Sequence, residues 1–125
     1  MFEFISQCTY QFADYSSHSG GISEAIFTKK VSIRDVFKIA QTLFDIPTTL
    51  QLPKDTVLSR KIREQKIENP KKPSYMWDDE LIIARSEKGH IDKITYSYRS
   101  EGSGAVVTIT QEKDGVKIKR TDIVD

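Results

Sequence analysis

The sequence predicts an α+β fold in which an antiparallel sheet of about six strands packs on one main amphipathic helix. Three observations support this prediction. Apolar residues recur every three or four positions over residues 32–46, they alternate with polar residues in several shorter segments, and turn-forming residues separate those segments. A helix and a sheet that each have one apolar face can cover each other. The 125 residues therefore predict a single domain, 1–125.

The helix prediction over 32–46 rests on one wide apolar stripe. Its members at helical spacing are Ile33, Val36, Phe37, Ala40, Leu43 and Phe44. Ser32 and Asp35 have the spacing of a capping box, in which each side chain bonds the backbone N–H of the other residue. Pro47 should end the helix, because the residue before a proline is disfavoured in helical backbone. Burial of the stripe should contribute on the order of 10 kcal/mol before entropy is counted.

Two strands should precede the helix. Apolar residues share one parity over 2–12, which is typical of a half-buried strand. The polar run 14–21 ends in a glycine pair and is interpreted as a loop. Residues 22–31 have a less regular β pattern, and we expect them to pair with the first strand in a hairpin with a long loop.

The segment between the helix and the C-terminal strands is less clear. Residues 48–52 lie between two prolines and should form a connector or an edge. For 55–69 the pattern leaves both a mostly exposed helix and a loop open. Two further Pro-containing pairs, Asn69-Pro70 and Lys72-Pro73, should open a semi-rigid linker. An exposed acidic turn is then expected at 78–80.

The last fifty residues should form a four-stranded antiparallel meander. Its strands are predicted at 81–85, 91–98, 105–110 and 116–124, with Gly89 and Asp114-Gly115 in the hairpin turns. Alternation places one set of residues on the side away from the helix, exposed to water or bound to a partner. This set is Lys93, Thr95, Thr108, Thr110, Lys117 and Lys119.

Composition restricts the function classes. The net charge of +1 gives no overall attraction to nucleic acid or to an anionic membrane. Cys8 is the single cysteine, so no intrachain disulfide can form, and a reducing cytoplasmic compartment is expected. The N-terminal residues lack the basic start of a secretory signal, and no apolar run approaches the roughly 20 residues of a membrane helix. No metal-ligand spacing or cofactor motif is present, so neither a metal nor a cofactor is predicted.

The main binding hypothesis concerns residues 71–80. This segment combines cations, aromatic residues and carboxylates, and tryptophan and tyrosine are enriched where proteins bind partners. The predicted binding residues are Lys71, Lys72, Tyr75, Trp77, Asp78, Asp79 and Glu80. Together with the polar sheet face they predict a small cytosolic protein that binds another macromolecule, most simply a protein, as inhibitors, immunity proteins and antitoxins do, without catalysis.

Two alternatives remain open. His18 and His90, with Lys93 as a cation, could act as general base and acid in metal-independent endoribonuclease chemistry. Residues 54–72 carry seven cations against three anions, and the aromatic residues up to 77 follow them. Such a mixture suits single-stranded nucleic acid, although ion pairs within an exposed segment explain the same charges.

Overall fold

The seven strands of the protein form one antiparallel sheet with α1 on one side. The computed structural model describes residues 10–17, 20–28, 31–44, 46–55, 64–72, 78–113 and 115–124. The elements are β1 (Tyr10–Ser17), β2 (Gly20–Thr28), α1 (Ile33–Leu43), β3 (Glu64–Ile67), β4 (Asp78–Arg85), β5 (Ile91–Ser100), β6 (Ser103–Glu112) and β7 (Gly115–Val124). Strand order is β1-β2-β7-β6-β5-β4-β3, and α1 lies against β5, β6 and β7. The predicted α+β class is confirmed.

Helix α1 begins as predicted and ends earlier. Asp35 N–H donates to Ser32 Oγ at 3.1 Å and Ser32 N–H donates to Asp35 Oδ2 at 3.4 Å, which completes the capping box. At the other end Phe44 leaves helical geometry, and its N–H donates to the Ala40 carbonyl. With 11 residues α1 is too short to span a membrane, and no other helix in the described ranges could do so.

One member of the predicted apolar stripe is on the surface. Leu43 is 44% exposed, so its predicted burial is wrong, whereas Phe37 is 2% exposed. The chain turns out of the helix directly after Leu43, and Phe44 is buried in its place. Ile39, which the stripe omitted, is also buried.

The N-terminal hairpin has a shorter loop than predicted. Strand β1 continues to Ser17 and β2 begins at Gly20, so the loop predicted over 14–21 is wrong for most of its length. Ser17 pairs with Gly20 across the hairpin. Backbone pairing requires no apolar side chain, which explains how polar residues extend these strands. The part of the predicted first strand at 2–9 lies outside the described residues.

The C-terminal meander is confirmed, and its strands are longer than predicted. Gly89 (φ 86°) and Gly102 (φ 75°) occupy the left-handed region in the turns on either side of β5, where L side chains are disfavoured. Strand β7 also pairs with β2 along seven residue pairs. The N-terminal hairpin is thus added to the far side of the meander, and α1 carries the chain across the sheet to β3.

Two predictions between α1 and β5 are wrong. Residues 64–67 form strand β3 instead of a helix or loop, and 78–80 begin β4 instead of a turn. Strand β3 forms an edge of the sheet and pairs with β4, with Ile67 packed against the core. Residues 78–80 pair with β5. Residues 46–55, which we call the connector and which include the segment predicted at 48–52, contain no strand. The Gln41 side-chain amide donates to the Pro47 and Leu50 carbonyls at 3.0 Å.

One apolar core lies between α1, the connector and the sheet. Its largest fully buried side chains are Tyr96, Phe27, Ile39, Ile46, Leu50, Leu81, Ile83, Ile94, Ile109, Ile118, Val36 and Val107. Among the described residues, Arg85 is the one buried charged residue, at 5% exposure. Its guanidinium donates to the Gly89 carbonyl (2.9 Å) and the Lys54 carbonyl (3.2 Å), and thereby fixes the β4–β5 turn to the connector.

Candidate binding surface

The sheet has a second face, turned away from α1, which we call the outer face. Exposure alternates along the meander strands, so that residues such as Ile94 and Ile118 are buried while their neighbours are not. In β4 to β7 the outer face consists of Asp78, Glu80, Ile82, Ala84, Lys93, Thr95, Ser97, Arg99, Gly104, Val106, Thr108, Thr110, Lys117, Lys119, Thr121 and Ile123. All six residues predicted for this face lie on it.

Strand register arranges these residues in rows across the sheet. Thr110 of β6 lies between Lys93 of β5 and Lys117 of β7. In the next row Thr95 pairs with Thr108, which in turn pairs with Lys119. The centre of the outer face therefore presents hydroxyl groups flanked by ammonium groups, all held on paired strands.

On β4 to β7, charges of opposite sign occupy different parts of this face, whereas Glu24 of β2 lies opposite Lys119 in the register. The rows through Lys93, Lys117 and Lys119 contain no carboxylate on β5, β6 or β7. Asp78 and Glu80 lie on β4, towards the edge, and Lys66 Nζ is 3.5 Å from Glu80 Oε2. Neither Lys93 nor Lys119 forms an ion pair with any residue that the structure describes. The basic centre is thus available to an acidic partner.

The predicted 71–80 binding segment meets the outer face at β4. Lys71 and Lys72 are exposed in the chain before β4, and Asp78 and Glu80 lie on the outer face itself. Tyr75 and Trp77 fall outside the described residues. The two parts of the predicted binding surface, the segment and the sheet face, are therefore joined through the first residues of β4.

Asp79 makes structural contacts within the fold, and its predicted binding role stays a prediction. It lies between two outer-face residues and points to the helix side, where Tyr96 Oη donates to its Oδ2 at 3.3 Å. Asn69 Nδ2 donates to the same oxygen at 2.7 Å, and Asn69 Oδ1 accepts from Thr49 Oγ1 and from Lys71 N–H. These bonds fasten residues 69–71 to the connector and to the sheet.

Of the proposed ribonuclease residues, the structure describes His90 and Lys93 and places them in different environments. His90 Nδ1 lies 3.0 Å from Asp55 Oδ2, beside the connector, whereas Lys93 is on the outer face. His18 lies outside the described residues. The catalytic hypothesis consequently stays a prediction, and no described contact links its members.

The pKa of the Asp55 carboxyl group is strongly lowered. Hydrogen bonds from His90 and from Arg34, whose Nη2 is 3.0 Å away, lower the pKa of Asp55 to about 2. The N–H of Ile91 also donates to this carboxylate at 3.4 Å. The cluster ties the connector to α1 and to β5, because Arg34 Nη2 additionally donates to the Pro53 carbonyl at 2.6 Å.

The basic stretch 54–72 is distributed over several environments. Residues 56–63 lie outside the described ranges, as do 73–77 of the aromatic end. Lys54 is exposed in the connector, and Lys66 pairs with Glu80 on the outer face. The described part of the stretch therefore forms no continuous groove for nucleic acid.

A groove between α1 and the connector is a second concave feature. It has a volume of about 410 Å³ and is lined by Arg34, Phe37, Lys38, Gln41, Thr48, Leu50, Gln51 and Leu52. Two of its polar residues are engaged within the fold: Gln41 donates to the connector carbonyls, and Arg34 donates to Asp55 and to the Pro53 carbonyl. Among the described residues, no group of three or more His, Cys, Asp or Glu side chains could hold a metal ion.

The outer face also contains apolar side chains that the sequence pattern did not predict there. Ile26 of β2 is 48% exposed and pairs with Lys117, while Ile82 and Val106 are half-buried on the same side. A signal for Ile26 was present, since it and Phe27 are adjacent in a strand and only one of them can face the core. Predicting their orientation also required the register with β7.

Comparison of the chain with protein-family models, with curated proteins and with solved structures finds no match. The fold and the surface define a small α+β protein in which no described helix covers the outer face.

Proposed function

We propose that the protein is a non-catalytic binding protein, of the inhibitor or immunity-protein kind, whose outer sheet face binds an acidic surface of another protein. The observation that carries this proposal is the basic centre of the outer face. Lys93 and Lys119 flank a threonine ladder and have no described ion-pair partner. Carboxylates of a partner can neutralise both lysines while its polar groups bond the hydroxyls.

The size of the face suits a protein partner. Strands lie about 4.8 Å apart and rise about 3.3 Å per residue, so β4 to β7 present roughly 550 Å². A standard interface buries about 800 Å² on each partner. The neighbouring edge strands and the 71–80 segment can supply the remainder.

The chemistry of the face favours protein over nucleic acid. Binding of single strands relies on aromatic side chains that stack on bases, and none of the outer-face residues of β4 to β7 is aromatic. Asp78 and Glu80 would also repel a phosphate backbone that ran across the sheet. A partner protein can instead place its own cations opposite this acidic margin.

Charge reversal on the outer face tests the proposal. The chain is immobilised and used to recover its partner from a nuclease-treated extract of its source cells. The test variant is Lys93→Glu/Lys119→Glu, and the control is Lys38→Glu/Lys54→Glu, which changes net charge equally at exposed positions on the helix side. We expect recovery to fall at least about tenfold in the test variant alone, because like charges across an interface cost several kcal/mol.

Either of two results would contradict the proposal. Recovery that is equal for the wild type and the outer-face variant would remove the outer face as the binding site. Recovery from an untreated extract that is absent from the nuclease-treated extract would show that nucleic acid, and not protein, is the bound molecule.

A further inference from the structure

A polar network, which we call the Asn69 network, lies where the chain before β4 meets the connector and the sheet. Its members are Thr49, Asn69, Lys71, Asp79 and Tyr96. We propose that Asn69 is a positioning residue of the binding surface, which fixes Lys71 and the first residues of β4 before a partner binds. This inference rests on the proposed protein-binding function, in which the 71–80 segment extends the outer face.

The side chain of Asn69 bonds three parts of the chain at once. Its Nδ2 donates to Asp79 Oδ2 at 2.7 Å, and its Oδ1 accepts from Thr49 Oγ1 at 2.8 Å and from the Lys71 N–H at 3.1 Å. Only this orientation of the amide suits its neighbours, because a rotated amide would turn its donors towards the Lys71 N–H and its oxygen towards a carboxylate. Asn69 therefore has one defined conformation in the network.

The Asn69 network takes over where strand pairing stops. The described pairing between β3 and β4 ends with Ile67 opposite Leu81. Residues 78–80 of β4 are paired with β5. Beyond the end of β3, a side-chain bond from Asn69 to Asp79 holds this part of β4 to the preceding chain. The start of β4 is thus fixed although the described part of β3 does not extend along it.

The held residue determines where its neighbours point. Asp79 faces the helix side, where Tyr96 Oη also donates to its Oδ2 at 3.3 Å. Successive residues of a strand point to opposite sides, so Asp78 and Glu80 lie on the outer face. Anchoring Asp79 on one side of the sheet consequently positions two carboxylates on the other.

At the other end of the Asn69 network, the backbone of Lys71 is held at two atoms. Its N–H donates to Asn69 Oδ1, and its carbonyl oxygen lies 3.2 Å from Thr49 Oγ1. Lys71 itself is exposed. One amide side chain thus links the position of a surface cation to that of the carboxylates on β4.

Such order in the free protein favours binding. Ordering one backbone residue at the moment of binding lowers the affinity roughly tenfold. Because Asn69 already orders Lys71 and the start of β4, a partner does not have to do so. A role in stability alone would leave the affinity unchanged for as long as the chain is folded.

Exchanging the two bonded groups tests the inference. Asn69→Asp sets a second carboxylate against Asp79 and removes the donor between them. The double variant Asn69→Asp/Asp79→Asn restores a donor opposite an acceptor and has the net charge of the wild type. Gln51→Glu is the control for charge, since it adds the same negative charge at an exposed site in the connector.

The measured quantity is the amount of the protein that the immobilised wild-type chain retains from nuclease-treated extract. Each variant is compared with the wild type at a temperature where circular dichroism shows all four chains folded. We expect Asn69→Asp to lower retention about tenfold and to speed amide hydrogen exchange at 78–80. The double variant and Gln51→Glu should stay within about twofold of the wild type in both measurements.

The other outcomes separate this inference from the proposed function. Faster exchange at 78–80 with unchanged retention would make the Asn69 network purely structural and leave the outer face as the binding site. An equal loss with Gln51→Glu, or a loss that the double variant does not reverse, would also overturn the role of Asn69. If the wild type retains no protein at all, the proposed function is overturned and this inference with it.

Discussion

The two faces of the sheet are built from the same strands and differ in almost every property. On the helix side, alternate residues are buried under α1 and the connector. On the outer face, many of their immediate neighbours carry hydroxyl or ammonium groups, and within the described chain no helix covers them. A shift of one residue along a strand therefore separates positions that stabilise the fold from positions free to recognise a partner.

This separation has a thermodynamic consequence. Burial of an apolar side chain on the helix side stabilises the protein by about 1.5–3 kcal/mol. A cross-strand pair on the outer face, such as Thr95 with Thr108, contributes only about 0.2–1 kcal/mol. The outer face can accordingly be altered for binding at small cost in stability.

The largest expected difference between the faces is a change in the free energy of unfolding. Phe37→Ala should destabilise the protein by about 3–5 kcal/mol, because the Phe37 side chain of α1 is buried in the core and its removal leaves a cavity. Thr108→Ala, at the centre of the outer face, should cost less than about 1 kcal/mol. Urea unfolding of the two variants measures both values, and similar losses would show that the faces do not differ in this way.

A smaller effect concerns the junction on the helix side. The pKa of Asp55 is lowered from 3.8 to about 2, so its stabilising contribution is complete above pH 4 and is lost as the pH falls towards 2. Asp55 is 44% exposed, which limits the contribution to under about 1 kcal/mol. The unfolding free energies of wild type and Asp55→Asn should differ at pH 5 and converge near pH 2. A difference that is constant with pH would contradict the ionic origin of this contribution.

Residues a few positions apart in the sequence predicted the start of α1, the hairpin turns and the strands of the meander. Ser32 and Asp35 marked the start of α1, and Gly89 marked a hairpin turn with the required positive φ. Period-two alternation predicted the meander and the composition of its outer face. These features depend on residues only a few positions apart, so their pattern is visible without the fold.

Features that depend on long-range pairing were not predictable in the same way. The pairing of β2 with β7 determines the strand order, and no local pattern reports it. Strand β3 has one residue against the core, so its pattern resembled an exposed segment. The prediction for Leu43 failed because α1 ends at that residue. The position of Ile26 beside Lys117 exists only once β2 is in register with β7.

Lysine footprinting in the bound complex tests the functional division between the two faces most directly. The complex and the free protein are acylated under identical conditions, and the extent of modification at each lysine is measured by mass spectrometry. We expect Lys93 and Lys119 to be protected in the complex and the helix-side residues Lys38 and Lys54 to react equally in both samples. Protection of Lys38 and Lys54 with unchanged reactivity at Lys93 and Lys119 would contradict the assignment of binding to the outer face.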